Sequence, residues 1–160
     1  MVSTQEFMER MRMSPTEVAA AAVEREKVRK YQTEVAEKLR PITGKIVDAA
    51  YNVHKELGPG LLESVYEACM VYELEQRGLG VRRQVAVPVI YRSALNFDEA
   101  YRLDLLVEGK VVVELKAVEK VSAVHKAQLL TYMKLSGHKV GLLLTFNAAL
   151  MKDGITRMIL

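Results

Sequence analysis

Residues 101–117 read Tyr-Arg-Leu-Asp-Leu-Leu-Val-Glu-Gly-Lys-Val-Val-Val-Glu-Leu-Lys-Ala, and they hold the most reactive spacing in the chain. The pattern predicts two short β-strands joined by a Glu-Gly-Lys turn. Asp104 lies in the first strand, and Glu114 and Lys116 lie in the second. Strand side chains alternate between faces, so Glu114 and Lys116 share a face that Val113 and Leu115 do not. Ionisable groups inside apolar strands are costly unless they are paired or hold a metal. Two carboxylates meeting across neighbouring strands repel, and a positive charge between them would relieve this. Carboxylate and water oxygens suit a hard cation such as Mg²⁺ or Mn²⁺. Lys116 could neutralise such a site, position a water, or stabilise charge on a phosphate. The competing reading is a plain Asp/Glu–Lys salt bridge at a strand end.

Two further spacings bear on that choice. Glu63 and Tyr66 are three apart near a helix start, on one face. Glu63 there is either a favourable contact with the helix dipole or a third carboxylate for a metal. Gln128 and Tyr132 are four apart on the helix that follows the Lys116 strand. A Gln amide and a Tyr hydroxyl on one face could hold a phosphate, a water or the acidic side chains; they could equally be an ordinary polar helix edge. His54, His125 and His138 show no metal-ligand spacing and are read as local or structural.

The elements that must position these groups follow from composition and periodicity. The chain has 160 residues, 50% hydrophobic and 27% charged, with a formal charge of +3. This suits one domain with at most an appendage, and the charge is too mild to identify a nucleic-acid binder. The lone cysteine, Cys69, excludes an intrachain disulfide framework and reads as a buried helix residue. No apolar run reaches a membrane span and the first residues lack a signal-peptide core, so the expected compartment is the cytoplasm.

Residues 1–40 contain no glycine and carry nearly balanced charge. Ser14-Pro15-Thr16-Glu17 predicts a helix start, and a charged helix follows to about Leu39. Pro41 marks the expected boundary between a helical extension at 1–40 and a domain at 41–160. The extension is read as a solvated arm, with a homodimer contact as the sharper alternative. Beyond it, Ile46, Ala49, Ala50, Val53 and Leu57 give a buried helical stripe. Gly58-Pro59-Gly60 ends that helix. A second helix runs from about Leu61 to Gln76, with Leu62, Val65, Tyr66, Cys69, Met70 and Leu74 inward. Val81 to Tyr91 is extended, and Pro88 implies an edge strand or a bulge. A turn is expected at 92–98, then the two strands, a helix at about Ala123 to Ser136, and a buried strand at Val140 to Thr145. The strand–helix–strand unit at 111–145 predicts a parallel crossover. The tail from Ile155 adds a strand or a short helix.

Taken together, these motifs resemble the PD-(D/E)XK nucleases. Asp104 followed by Glu114-Leu115-Lys116 matches that motif as D-x9-E-x-K, with Leu103 in place of the proline. Gln128 and Tyr132 look like the QxxxY motif of RecB-like members. Gly60, Glu63 and Tyr66 match the motif of the GxxExxY proteins, a bacterial and archaeal group in that superfamily. The resemblance covers about residues 42–160. It implies an α/β (mixed α+β) restriction-endonuclease-like core: a central mixed sheet flanked by helices, here with an extra N-terminal helix. It further implies that Glu63, Asp104, Glu114 and the Leu115 carbonyl bind one or two divalent cations, Mg²⁺ or Mn²⁺. Lys116 would orient or activate water, and Gln128, Tyr132 and Tyr66 would support the site and substrate. The implied reaction is hydrolysis of phosphodiester bonds in nucleic acid, with DNA the expected substrate. The alternative is an inactive nucleic-acid- or protein-binding module on the same fold.

Overall fold

The computed structural model describes residues 13–160. It divides into two compact units, one ending at Glu34 and one spanning Val35–Leu160. A single helix, α1 (Pro15–Leu57), contributes to both. In the first unit the predicted capping box forms. The Ser14 N–H donates to Glu17 Oε2 (2.7 Å), and the Glu17 N–H donates to Ser14 Oγ (3.3 Å). The pairs Glu24–Lys27 and Glu26–Arg29 line this part of the helix and are solvent-exposed.

Pro41 does not end the helix, contrary to the sequence expectation; α1 continues through it. A helical proline removes one N–H donor and crowds the carbonyl four residues back, at a cost of about 3 kcal/mol. Here Val35 and Leu39 before it and Ile42 and Ile46 after it all pack into one core, which holds the helix in register across the proline.

The second unit is a five-stranded mixed sheet in the order β1-β2-β3-β4-β5. β1 (Val81–Tyr91), β2 (Leu95–Val107) and β3 (Val111–Lys116) form an antiparallel meander. β4 (Val140–Thr145) pairs parallel with β3, after the crossover helix α3 (Ala123–Ser136). A short 3₁₀ turn at Met151–Gly154 leads into β5 (Ile155–Ile159), antiparallel to β4. α2 (Glu63–Gln76) packs beside α1 on one sheet face. There Ala49, Tyr66 and Met70 meet Leu105, Val113, Leu115 and Leu144. The other face carries α3, whose Leu129 and Met133 meet Leu106, Val112 and Leu143. Gly141 permits that approach: a Cβ there would lie 2.6 Å from Met133 Sδ.

Several local expectations are corrected. β2 begins at Leu95, so the turn shrinks to residues 92–94, and the polar 95–102 stretch proves to be strand. α2 starts at Glu63, which leaves Leu62 outside as its cap residue, 74% exposed. Val65 and Leu57 are also exposed, and Cys69 is half-buried. The buried face of α2 is Tyr66, Glu67, Met70 and Leu74. Pro88 does sit at a bulge, on edge strand β1.

Candidate active site

The tight turn after β2 fixes what β3 can meet. Glu108 and Gly109 both have positive φ (53° and 63°), and the Lys110 N–H closes the turn on the Val107 carbonyl. The resulting register pairs Val107 with Val111 and Leu105 with Val113. The next pair would be Asp104 with Glu114, but the ladder stops there. On the other side of β2, the β1 register also passes over Gln84 and Asp104. Gln84 has φ 47°, so β1 kinks opposite Asp104. The face parity changes at this point: Leu105 and Val107 pack with α1 and α2, whereas Leu103 packs with α3.

Side chains take over the hydrogen bonds that the ladder gives up. The Leu115 N–H donates to Asp104 Oδ2 (2.8 Å), and the Asp104 N–H donates to Glu114 Oε1 (3.3 Å). Splayed strands thus hold two carboxyls together. Glu114 is 4% exposed. Burial first, and then the charge of Asp104, push its carboxyl up to about 8, while Lys116 pulls the other way. Lys116 is half-exposed, and no ion pair among the described residues involves it, Asp104 or Glu114.

Glu63 sits at the end of the same strand, where its Oε2 accepts the Ala117 N–H (3.1 Å). Among the described residues, no three His, Cys, Asp or Glu side chains cluster as a complete metal cage. Asn147 completes the clasp around Glu63: its Oδ1 accepts the Gly60 N–H (2.8 Å) and its Nδ2 donates to the Ala117 carbonyl (2.9 Å). His54 Nε2 lies 2.9 Å from the Ala148 carbonyl and holds the loop that carries Asn147. Tyr66 is fully buried. Its hydroxyl donates to the Gly58 carbonyl (2.6 Å) and accepts the Leu61 N–H (3.1 Å), and its ring stacks on Phe146 at 4.4 Å. Tyr66 therefore supports the Gly-rich loop from beneath.

On the α3 side, Tyr132 lies within the electrostatic influence of the acidic pair. Its hydroxyl is shifted upward by burial and by Glu114, opposed by Lys116, with Asp104 adding a further upward push. Tyr101 of β2 stacks on it at 4.1 Å and donates to the Tyr132 carbonyl (2.9 Å). Gln128, one helical turn earlier, is exposed. His125 completes a capping box with Ser122, and His138 bonds Ser136; both are structural, as expected.

Three supports escaped sequence reading: Tyr101, Asn147 and Glu67. Glu67 is buried and accepts from Arg83 Nε (2.9 Å) and Gln84 Nε2 (2.7 Å), which fastens the β1 kink opposite Asp104. The GPG-loop-to-helix pattern and an aromatic in a strand gave no distinctive signal for them.

Residues 40–158 match the family model described as the PD-(D/E)XK nuclease superfamily. The chain belongs to that superfamily. No curated protein and no solved structure matches it. PD-(D/E)XK proteins are mostly nucleases, hence phosphodiesterases, and they typically use divalent metals. The mixed sheet with helices on both faces agrees with that fold. The donor chemistry of Asp104 and Glu114 fits a hard divalent cation. Two adjacent carboxyls, one of them pushed up to about 8 by burial and by its neighbour, form a pair that a cation would relieve. Such a cation keeps several waters and needs only one or two carboxylates from the protein.

Proposed function

We propose that this chain is a divalent-metal-dependent nuclease that hydrolyses phosphodiester bonds in DNA, of the repair or defence kind. The observation that carries the reading is the Asp104–Glu114 pair: two carboxyls brought together where the strands part, with Lys116 beside them and bound to neither. In this reading Asp104, Glu114 and the Leu115 carbonyl hold Mg²⁺ or Mn²⁺, and Glu63 joins them by releasing Ala117. When bound, the metal would polarise the phosphate and lower the pKa of a bound water. Lys116 orients that water and stabilises charge on the phosphate. Tyr132 and Gln128 face the substrate backbone from α3, which is the role the QxxxY pattern suggests. A cavity of about 530 Å³, its charged lining Glu119, Lys120, Lys126 and Asp153, opens beside the segment that follows β3 and offers room for that backbone. Gly60, Glu63 and Tyr66 support placement in the GxxExxY group, with 41–160 as the catalytic domain and 1–40 as an extension.

The test is cleavage of single-stranded, duplex and branched DNA with Mg²⁺ or Mn²⁺. Wild type is compared with Asp104→Ala and Lys116→Ala. Both substitutions should reduce metal-dependent cleavage by at least a hundredfold. Equal cleavage by all three proteins would overturn the reading. A wild type inactive on every substrate would make the fold a binding module.

A further inference from the structure

The β1–β2 hairpin is longer than the sheet needs. β3 pairs with β2 only from Leu105 onward, and α3 covers the ribbon only as far as Val87 and Tyr101. Beyond these, residues 89–97 pair with one another alone. In the register, Val89 faces Phe97 and Tyr91 faces Leu95, so these four side chains share one face of the tip. Tyr91 and Leu95 are 54% exposed and Phe97 is 51% exposed; Ile90, on the opposite face, is 68% exposed.

A two-stranded ribbon is marginal in water, and exposed clustered apolar rings mark a surface that something covers. Three features of the ribbon indicate what covers it. Arg92 at the bend places its guanidinium 5.5 Å from the Tyr91 ring centroid; Asp98 and Glu99 follow Phe97, and Glu99 is paired with Arg102. A guanidinium at the bend beside aromatic faces is complementary to a stacked base with its phosphate. The ribbon is also rooted at Asp104, so its tip lies about 25–30 Å of strand from the carboxyl pair, within reach of a polymer seated there. Finally, Arg92 and Ser93 both hold positive φ (49° and 54°), a conformation non-glycine residues adopt at a cost, and it presents the tip as a fixed bend.

We infer that the hairpin tip stacks unpaired bases through Tyr91 and Phe97, which gives the site a preference for nucleic acid with a single-stranded segment. Paired bases present no free faces to such a ribbon, so a blunt duplex gains nothing from it. This inference rests on the nuclease reading for its polymer, but binding tests it separately from cutting.

The experiment measures fluorescence anisotropy of labelled DNA with the full chain in chelator, so that cleavage plays no part. The probes are a 20-nucleotide single strand, a duplex with a single-stranded overhang, and a blunt duplex. Wild type should bind the first two at least tenfold more tightly than the third. Tyr91→Ser/Phe97→Ser should abolish that difference, while Tyr91→Phe/Phe97→Tyr, which keeps both rings, should retain it. 2-Aminopurine in the single strand should change fluorescence on binding to wild type and not to the serine variant. Sedimentation of both variants shows whether the tip instead joins two copies. Unchanged single-strand binding by the serine variant would overturn the inference, as would equal affinity for blunt duplex or a loss of dimer in place of a loss of DNA binding. Tip-dependent binding without any metal-dependent cleavage would sink the nuclease reading alone. Cleavage with tip-independent binding would sink this inference alone.

Discussion

At the scale of single residues, Glu114 sets the chemistry of the metal-free protein. Its carboxyl sits near 8, raised by burial and then by Asp104, against an ordinary value of 4.5. Between these values the unfolded chain has lost the proton and the folded chain keeps it. The folded state then binds more protons, so stability falls as pH rises through this window and levels off above it. In chelator, thermal unfolding of wild type should therefore drift downward from pH 5 to pH 8, by an amount equivalent to roughly a few kcal/mol. Glu114→Gln cannot ionise; it should flatten that drift, equal or exceed wild-type stability at pH 8, and fail to cut DNA. An unaltered slope in the Gln variant would place the titrating group elsewhere. Tyr101 makes a different prediction. Tyr101→Phe keeps the stack on Tyr132 and should cost about 1 kcal/mol, since the Tyr132 carbonyl still accepts from Ser136 Oγ. Tyr101→Ala removes the stack and should cost about 3 kcal/mol, together with a loss of cleavage rate greater than the loss of substrate affinity. Denaturant titration and steady-state kinetics separate the two variants.

At the scale of elements, the site is a place where a sheet comes apart under control. The pair Asp104–Glu114 was legible because a Glu-Gly-Lys turn between apolar strands fixes register within a residue, and register dictates which side chains are opposite. The kink that frees Asp104 was not legible. It depends on Glu67, a helix residue of no special pattern, reaching Arg83 and Gln84 on β1. Asn147 was hidden for the same reason, because its partners Gly60 and Ala117 are distant in sequence. The outer half of β2 was missed because its exposed faces leave no hydrophobic alternation to read; Asn96, Asp98 and Glu99 look like a loop. The continuation of α1 through Pro41 was missed because local propensity opposes it and only tertiary packing on both sides restores it. The clasp has a measurable consequence. Glu67→Ala leaves the Gln84 amide without its acceptor and frees the kink. It should lower stability by about 1–2 kcal/mol and cleavage by roughly tenfold, with β1 amides near Gln84 exchanging faster. Slower exchange there, or wild-type cleavage, would show that the kink holds itself.

At the scale of the whole molecule, the question is which part of the chain the catalytic unit needs. Both hydrophobic cores are built from residues at or beyond Val35, and every proposed site residue lies in that same unit. The helix before it contributes exposed side chains and i,i+3 ion pairs, each worth a fraction of a kcal/mol in water. Its capping box stabilises the start of a helix that the second unit already anchors through Ile46, Ala49 and Val53. No helix among the described residues is long and apolar enough to cross a membrane, α1 with its 43 residues included. Deleting residues 1–34 should therefore leave the midpoint of thermal unfolding within a few degrees of the full chain. Metal-dependent cleavage should stay within about twofold, because among the described residues no interaction holding Asp104, Glu114 or Lys116 is removed. Sedimentation of the two forms at matched concentration gives the second readout. A full chain that sediments as a dimer beside a monomeric truncation would assign residues 1–34 to self-association. A truncation that stays folded yet loses cleavage as it loses the dimer would mean that two copies are needed to cut.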